Sequence, residues 1–419
     1  MTVKKNKISK ELVEMGTIGN LINQEQIGMG KWKSNIRKSY LIELFMGLHF
    51  ISGVLLPFFL IWGKLSFVEV MLLQSWFTMM IILFEIPCGA IADYLNRKLS
   101  LFLGTFTMAL AALIYASFPN IIVFMTGETF FALGSSLISG TYQAFVYDTL
   151  RKLGREQDIT KVMARSRIYM LLGVGISAPM GSIIGALLSL QFAMNLMFLP
   201  FIFAAIITIT LKEPNHDLVR EKHENYLKIV KSGVKALFIN RILRKLALNQ
   251  VITETFAFFL IWTYQLYLET LNLSMEYFGF VATSITLVQI IVVNFIPRIM
   301  KHSNNKKGFL QLYTIIPGIA YISMAFTSST PIGIALILIV IGIGFSRRII
   351  FVEGINNQIA TENRATLLSA IGMISSLIRS ILYPLVGYIV MVDLKIIFVI
   401  LGVLIIILAI FTRIQKEYL

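Results

Sequence analysis

The sequence predicts an all-α integral membrane protein of twelve transmembrane helices, arranged as two pseudo-symmetric six-helix bundles. Three observations carry that expectation. Apolar residues make up 57% of the 419-residue chain and charged residues only 14%, with a mean hydropathy of +0.78. A soluble domain carries about 25% charge, so much of this surface has lipid for its solvent. The chain also contains twelve long apolar stretches, and a polar, basic connection at 213–245 divides them six and six.

A membrane helix needs roughly 20 apolar residues to cross about 30 Å of hydrocarbon. By that measure the first six spans lie near 39–63, 67–93, 99–118, 120–148, 166–189 and 191–212. The second six lie near 246–271, 275–300, 308–328, 331–360, 365–391 and 394–413. Several are long enough to tilt. Glycine, proline and polar residues inside them are tolerated where neighbouring helices satisfy the freed backbone groups. The expected domains are a cytoplasmic segment 1–38, a bundle 39–212, a central cytoplasmic loop 213–245, a bundle 246–413 and a tail 414–419.

Charge decides the sidedness. Of 37 Lys and Arg residues, 32 fall in the termini, the connections and the adjoining span ends on one side, and only Lys64 and Lys395 on the other. Basic residues stay on the cytoplasmic side, so both termini are expected there, in a plasma membrane. The same placement explains the net charge of +15 without nucleic acid, for which no binding signature occurs. Residues 1–38 hold eight Lys and Arg and no apolar run of signal-peptide length, and no signal peptide is expected. The single cysteine, Cys88, excludes a disulfide scaffold.

The connection between spans two and three reads EIPCGAIADYLNRKLSL. Gly89, four residues before Asp93, is expected to let this helix approach a neighbour, and Arg97 and Lys98 open the loop. This pattern resembles the Gly-x-x-x-Asp-(Arg/Lys)-x-Gly-(Arg/Lys)-(Arg/Lys) signature of the major facilitator superfamily. With the six-plus-six layout, the resemblance covers nearly the whole chain from about residue 39. Tyr94 stands where the family has a basic residue and Asn96 where it has glycine, and Asn is the next best residue for a left-handed turn.

Span five contains GVGISAPMGSIIGALL, with Pro179, Gly181 and Gly185. It loosely resembles the glycine- and proline-rich motif of the family's proton-coupled drug antiporters, with Ala178 and Ser182 replacing two glycines. It is equally a close-packed helix pair with a proline kink.

Charged residues inside spans are costly and are candidates for function. The resemblance makes Glu85, Asp93, Arg97, Lys98, Asp148 and Arg364 parts of a cytoplasmic gate. It also makes spans one, four, seven and ten the lining of a central cavity. Glu254, Glu128, Arg347 or Arg348, Glu353 and His49 then lie within reach of that cavity, with Arg379 near the middle of span eleven. These charges bind solute or coupling protons, or they pair with one another and hold the halves together. Glu254 is the first candidate for proton coupling, followed by Glu353 and Glu128. His49 is a candidate or a simply hydrogen-bonded histidine. Trp262, Tyr264 and Tyr267 line the outer cavity or form an interfacial belt.

No Walker loop, HExxH, CxxC or GxSxG occurs, so neither an enzyme nor an ATP-driven pump is expected, and no cofactor or metal. The expected function is secondary transport by alternating access, with proton-coupled export of drug-like or toxic compounds favoured, by a monomer in the bilayer. Uptake of a nutrient anion balanced by the midplane arginines is the alternative, and a non-transporting receptor or scaffold is the reading from another class. The charge split predicts that cysteines placed at 119 or 329 react with an impermeant thiol reagent added to intact cells. Cysteines at 230 and 305 should be protected, and labelling at 230 in sealed cells would overturn the topology.

Overall fold

The computed structural model describes residues 30, 32–94, 96–214, 235, 237, 239–302, 306–358 and 364–411. The segments 1–29, 215–234 and 412–419, and so most of the terminal and central cytoplasmic regions expected above, lie outside the described residues. Helices account for nearly all of the rest. In chain order they are α1 (Trp32–Gly53), α2 (Leu55–Trp62), α3 (Phe67–Tyr94), α4 (Arg97–Tyr115), α5 (Ile121–Lys152), α6 (Ile159–Leu187) and α7 (Leu190–Leu196). There follow α8 (Phe198–Ile209), α9 (Arg241–Thr270), α10 (Phe278–His302), α11 (Lys306–Phe326), α12 (Thr330–Asn357), α13 (Arg364–Val392) and α14 (Leu394–Phe411). With α1 and α2 as one bent span and α7 and α8 as another, twelve apolar spans result.

Their packing repeats with a period of six spans. In the first half α4 packs on α5 and α8, and α3 on α5; in the second half α11 packs on α12 and α14, and α10 on α12. Those are spans 3–4, 3–6 and 2–4 matched by 9–10, 9–12 and 8–10. Between the halves, α3 packs on α13 and α6 on α10. These pairs, spans 2–11 and 5–8, exchange when six is added to one number and subtracted from the other. Two parallel repeats about an axis along the membrane normal have this property. Side chains such as Ile61, Leu83, Leu187, Phe326 and Ile381 are more than half exposed on the outer surface, where lipid rather than water is the fitting neighbour.

The largest departure from the expected regular spans is the first one. Its helix stops at Gly47, resumes as a 3₁₀ turn over Phe50–Gly53, and continues beyond a 63° bend as α2. Helix α6 approaches this break more closely than side chains would permit. A Cβ at Gly47 would collide with the Met170 carbonyl, and one at Gly181 with the Phe50 carbonyl. At Gly173 it would come within 2.5 Å of the Leu44 oxygen. The glycines of the span-five motif are therefore packing surfaces for a broken helix. Pro179 sits inside α6 among them, and Gly185 faces Val54 and Leu190.

Gly89 behaves differently from expectation. Among the described residues no atom lies within 4 Å of the place its Cβ would take, and the residue is exposed, so it brings no neighbour close in this structure. The contrast makes a paired test. Gly181→Val should lower the apparent melting temperature of the purified protein by about 5 °C or more, since its collision partner is backbone and costs several kcal/mol to move. Gly89→Ala should leave it within about 1 °C, helix propensity being its main change.

Candidate functional site

The break in α1 frees backbone groups in the middle of a span, where no water is available to satisfy them. The amide of His49 turns back to the Gly47 carbonyl at 2.8 Å. Farther along, one side chain from the other half completes the pairing. Gln265 of α9, 3% exposed, donates from Nε2 to the carbonyls of Ser52 (3.2 Å) and Gly53 (3.1 Å), and its Oε1 accepts from the Leu56 amide at 2.9 Å. The Tyr264 hydroxyl oxygen is a third acceptor for Nε2, at 2.9 Å.

The other described hydrogen bonds between the halves lie in the same zone. Ser75 and Ser380 each donate to the other's carbonyl, at 2.7 and 3.3 Å. Ser182 donates to the Glu276 carbonyl at 2.9 Å and accepts from the Gly279 amide at 3.2 Å. Thr283 donates to the Gly175 carbonyl at 3.0 Å. All of these lie between the midplane and the face remote from the start of α1. The opposite face, here the terminal face, is where α1 begins and α8 ends, joined by Asn35 to Lys212 (2.8 and 3.0 Å).

Among the described residues two cavities open on the first half, the smaller also bounded by Trp262 of α9. The larger, about 520 Å³, is a vestibule between α1, α4, α5 and α6. Its walls include Glu43, Tyr142, Ser166 and Arg167 with the flexible thioethers of Met46, Met108, Met163 and Met170. Met163 lies near the start of α6, and Glu43 and Tyr142 lie on the terminal side of His49 and Phe131 along α1 and α5, which sets the vestibule's direction.

The smaller cavity, about 180 Å³, is deeper and nearer the far face. Gln74, Tyr115, Glu128, Phe131 and Trp262 are among its lining residues. Glu128 is only 5% exposed, and its Oε1 accepts from Gln74 Nε2 at 3.0 Å. The Tyr115 hydroxyl is its other hydrogen-bonding neighbour. Both partners are neutral.

His49 and Phe131 line both cavities. The imidazole stands at the break in α1, edge-on to Phe131 (6.0 Å between centroids) and Phe201 (5.3 Å).

Of the residues expected at the cytoplasmic gate, Arg97 and Asp148 are brought together. Arg97 at the start of α4 forms an ion pair with Asp148 of α5 and donates from Nη1 to the Ala144 carbonyl. The amides of Arg97 and Lys98 point to Glu213, at 3.0 and 2.8 Å, which places a carboxylate on a helix N-terminus where the dipole favours it. Asn96 does not make a left-handed turn. Its backbone is extended (φ −67°, ψ 152°), and its side chain caps α4 by accepting from the Leu99 amide at 2.8 Å. Glu85 is exposed on α3. The side chains of Asp93, Arg347, Arg348, Glu353 and Arg364 lie outside the described residues.

Glu254 is half-buried on α9. Arg379 of α13 lies 4.8 Å from the Phe258 ring centroid and donates to Ser376 at 3.2 Å. Trp262, Tyr264 and Tyr267 are all at least nine-tenths buried, so they form no interfacial belt; Trp262 lines the inner cavity, and Tyr267 meets Phe398 edge-on at 5.3 Å. Sequence reasoning missed Gln265, Gln74, Tyr115, Glu43 and Glu213. The glutamines and Glu43 carried a usable signal, since a glutamine or glutamate within an apolar span needs a partner there.

The geometry matches known proteins on both levels. The family description of the Major Facilitator Superfamily matches residues 44–347. The chain belongs to this superfamily. Among solved structures, the nucleoside transporter NupG is similar with a TM-score of 0.74 at 15% identity, over 91% of this chain and 98% of that one. A bacterial homologue of the human lysosomal transporter Spinster, inward-facing and unoccupied, gives 0.70 at 15% identity over 93% and 96%. An uncharacterized transporter of Buchnera aphidicola subsp. Schizaphis graminum is 27% identical over 48% of this chain and 50% of its own. One from Buchnera aphidicola subsp. Acyrthosiphon pisum is 34% identical over 23% and 24%. This superfamily member thus spans half or less of the length of the curated relatives it matches.

Replacing Gln265 by Leu keeps its bulk and strands two carbonyls and an amide in the interior. Each unsatisfied group costs about 1–3 kcal/mol. The expected result is a fall of about 3 °C or more in apparent melting temperature, read by thermal unfolding in detergent.

Proposed function

We propose that this superfamily member is a proton-coupled secondary transporter that exports small, partly apolar compounds, drug-like or toxic, by alternating access. The single observation that carries the reading is Glu128, a buried carboxyl group in the lining of the inner cavity with two neutral partners, Gln74 and Tyr115. A carboxylate so placed has no counter-charge among its described partners, and a proton is the smallest group that can neutralise it. Solute and proton then compete for one chamber. With the far side open, Glu128 takes a proton as the solute leaves. With the terminal side open, it gives the proton up as the next solute arrives.

The wall chemistry supports a neutral or cationic partly apolar solute. Aromatic rings of Phe77, Phe131 and Trp262 surround the one carboxyl group, and methionines, which adapt to varied shapes, line the approach. Among the described residues the hydrogen bonds between the halves lie toward the far side, which supports one of the two states that alternating access requires. The anion-uptake reading draws no support from Arg379, whose guanidinium faces Phe258 and Ser376.

The test uses ethidium, a lipophilic cation, with protein reconstituted in liposomes. A pH gradient should drive ethidium movement in the wild type and in Glu254→Gln. In Glu128→Gln the gradient-driven flux should fall by at least about a hundredfold, while ethidium exchange without a gradient persists. Unchanged driven flux in Glu128→Gln would sink the coupling assignment. Absence of both flux and exchange in the wild type would favour a non-transporting receptor.

A further inference from the structure

The proton that Glu128 exchanges with the terminal side has to cross the wall between the inner chamber and the vestibule. Only two residues, His49 and Phe131, are common to the described linings of the two cavities. Phe131 cannot carry a proton. His49 can, because an imidazole has two distinct ring nitrogens, one able to accept a proton while the other gives one up.

We propose that His49 is the relay through which Glu128 exchanges its proton with the terminal face. The proposal rests on the reading of Glu128 as the coupling carboxyl group. The carboxyl O–H passes its proton to one ring nitrogen, directly or through chamber water, leaving a carboxylate and an imidazolium. The other nitrogen then releases its proton to vestibule water, and a ring flip restores the first tautomer. No oxidant or further reactant is needed.

The surroundings suit this role. On the chamber side the titratable groups are Glu128 of α5 and Tyr115 of α4. On the vestibule side they are Glu43 of α1, Tyr142 of α5 and Arg167 of α6. From α8 the neighbour is the Phe201 ring, and from α9 the chamber wall is Trp262. The imidazole therefore has the rings of Phe131 and Phe201 beside it and belongs to two cavity linings that each contain titratable groups. The break in α1 contributes directly. Leu48 and His49 lie outside the helical turns, so the side chain at 49 is freed from the regular helical direction that would fix it on one cavity wall.

The experiment needs no solute. Purified protein in lipid nanodiscs is subjected to a rapid pH jump, and protonation of Glu128 is followed in the infrared by the carboxyl band that disappears in Glu128→Gln. In His49→Leu the band should reach the wild-type end point but at least about tenfold more slowly. The polar His49→Gln should be equally slow, which separates relay from packing, and added imidazole should restore part of the rate. Equal rates in wild type and both variants would overturn the relay and leave the coupling reading standing. Absence of any band attributable to Glu128 would overturn the coupling reading and the relay with it.

Discussion

A polypeptide in lipid has no water to fall back on, so every interrupted helix needs an internal partner for its backbone. Here that partner is Gln265. Its carboxamide is donor and acceptor at once, and it meets two carbonyls and one amide of the broken first span. Without such a group the break between Gly47 and α2 would leave polar atoms in the interior at about 1–3 kcal/mol each. With it, the break is stable, and it places His49 at the boundary of two cavities. The bridge also joins the halves, so whatever opens the far side has to part these bonds together with the Ser75–Ser380 and Ser182–Gly279 pairs.

Helix α6 depends on the same break. An α-helix presents a nearly constant radius to its neighbours, whereas a broken one moves its backbone sideways. The chain meets that displacement with Gly173 and Gly181, which let α6 lie against the carbonyls of Leu44 and Phe50. The same helix reaches across to α10 through Ser182 and Thr283. One helix therefore carries the shape of the first span to the seam between the halves. The glycine- and proline-rich motif is accounted for by this packing, and any bearing it has on direction of transport acts through the seam.

Much of this is legible in the sequence because lipid imposes simple rules. Span lengths and the repeat follow from runs of apolar residues, and the observed helices α3, α9 and α13 fall within a few residues of the expected 67–93, 246–271 and 365–391. The Arg97–Asp148 pair is foreseeable from charges at helix ends. The break in the first span is not, since Gly47 and Gly53 occur in a helix whose other neighbours, Met46 and Leu48, give no sign of interruption. Asn96 departs from expectation because asparagine serves both left-handed turns and N-caps, and the start of α4 one residue later decides between them. Among the carboxylates, position along a span says how deep a group lies but not which wall it faces. Glu254 and Glu128 look alike on that measure, and only packing separates a half-buried residue from one enclosed by Gln74 and Tyr115.

That separation bears on how a transporter of this fold avoids leaking protons. A carboxyl group able to change its proton freely with both faces would dissipate the gradient that drives it. Glu128 lines the inner cavity, which shares His49 and Phe131 with the vestibule, while the Gln265 bridge lies on the far-side seam between the halves. Access on the far side then depends on parting the seam, a motion of whole bundles. In the proposed relay, access on the terminal side depends on one imidazole among aromatic neighbours, a motion of a single ring. The two routes differ in scale, so they need not open together. Under that proposal the same interruption that Gln265 bridges also provides the boundary of the two cavities with its histidine.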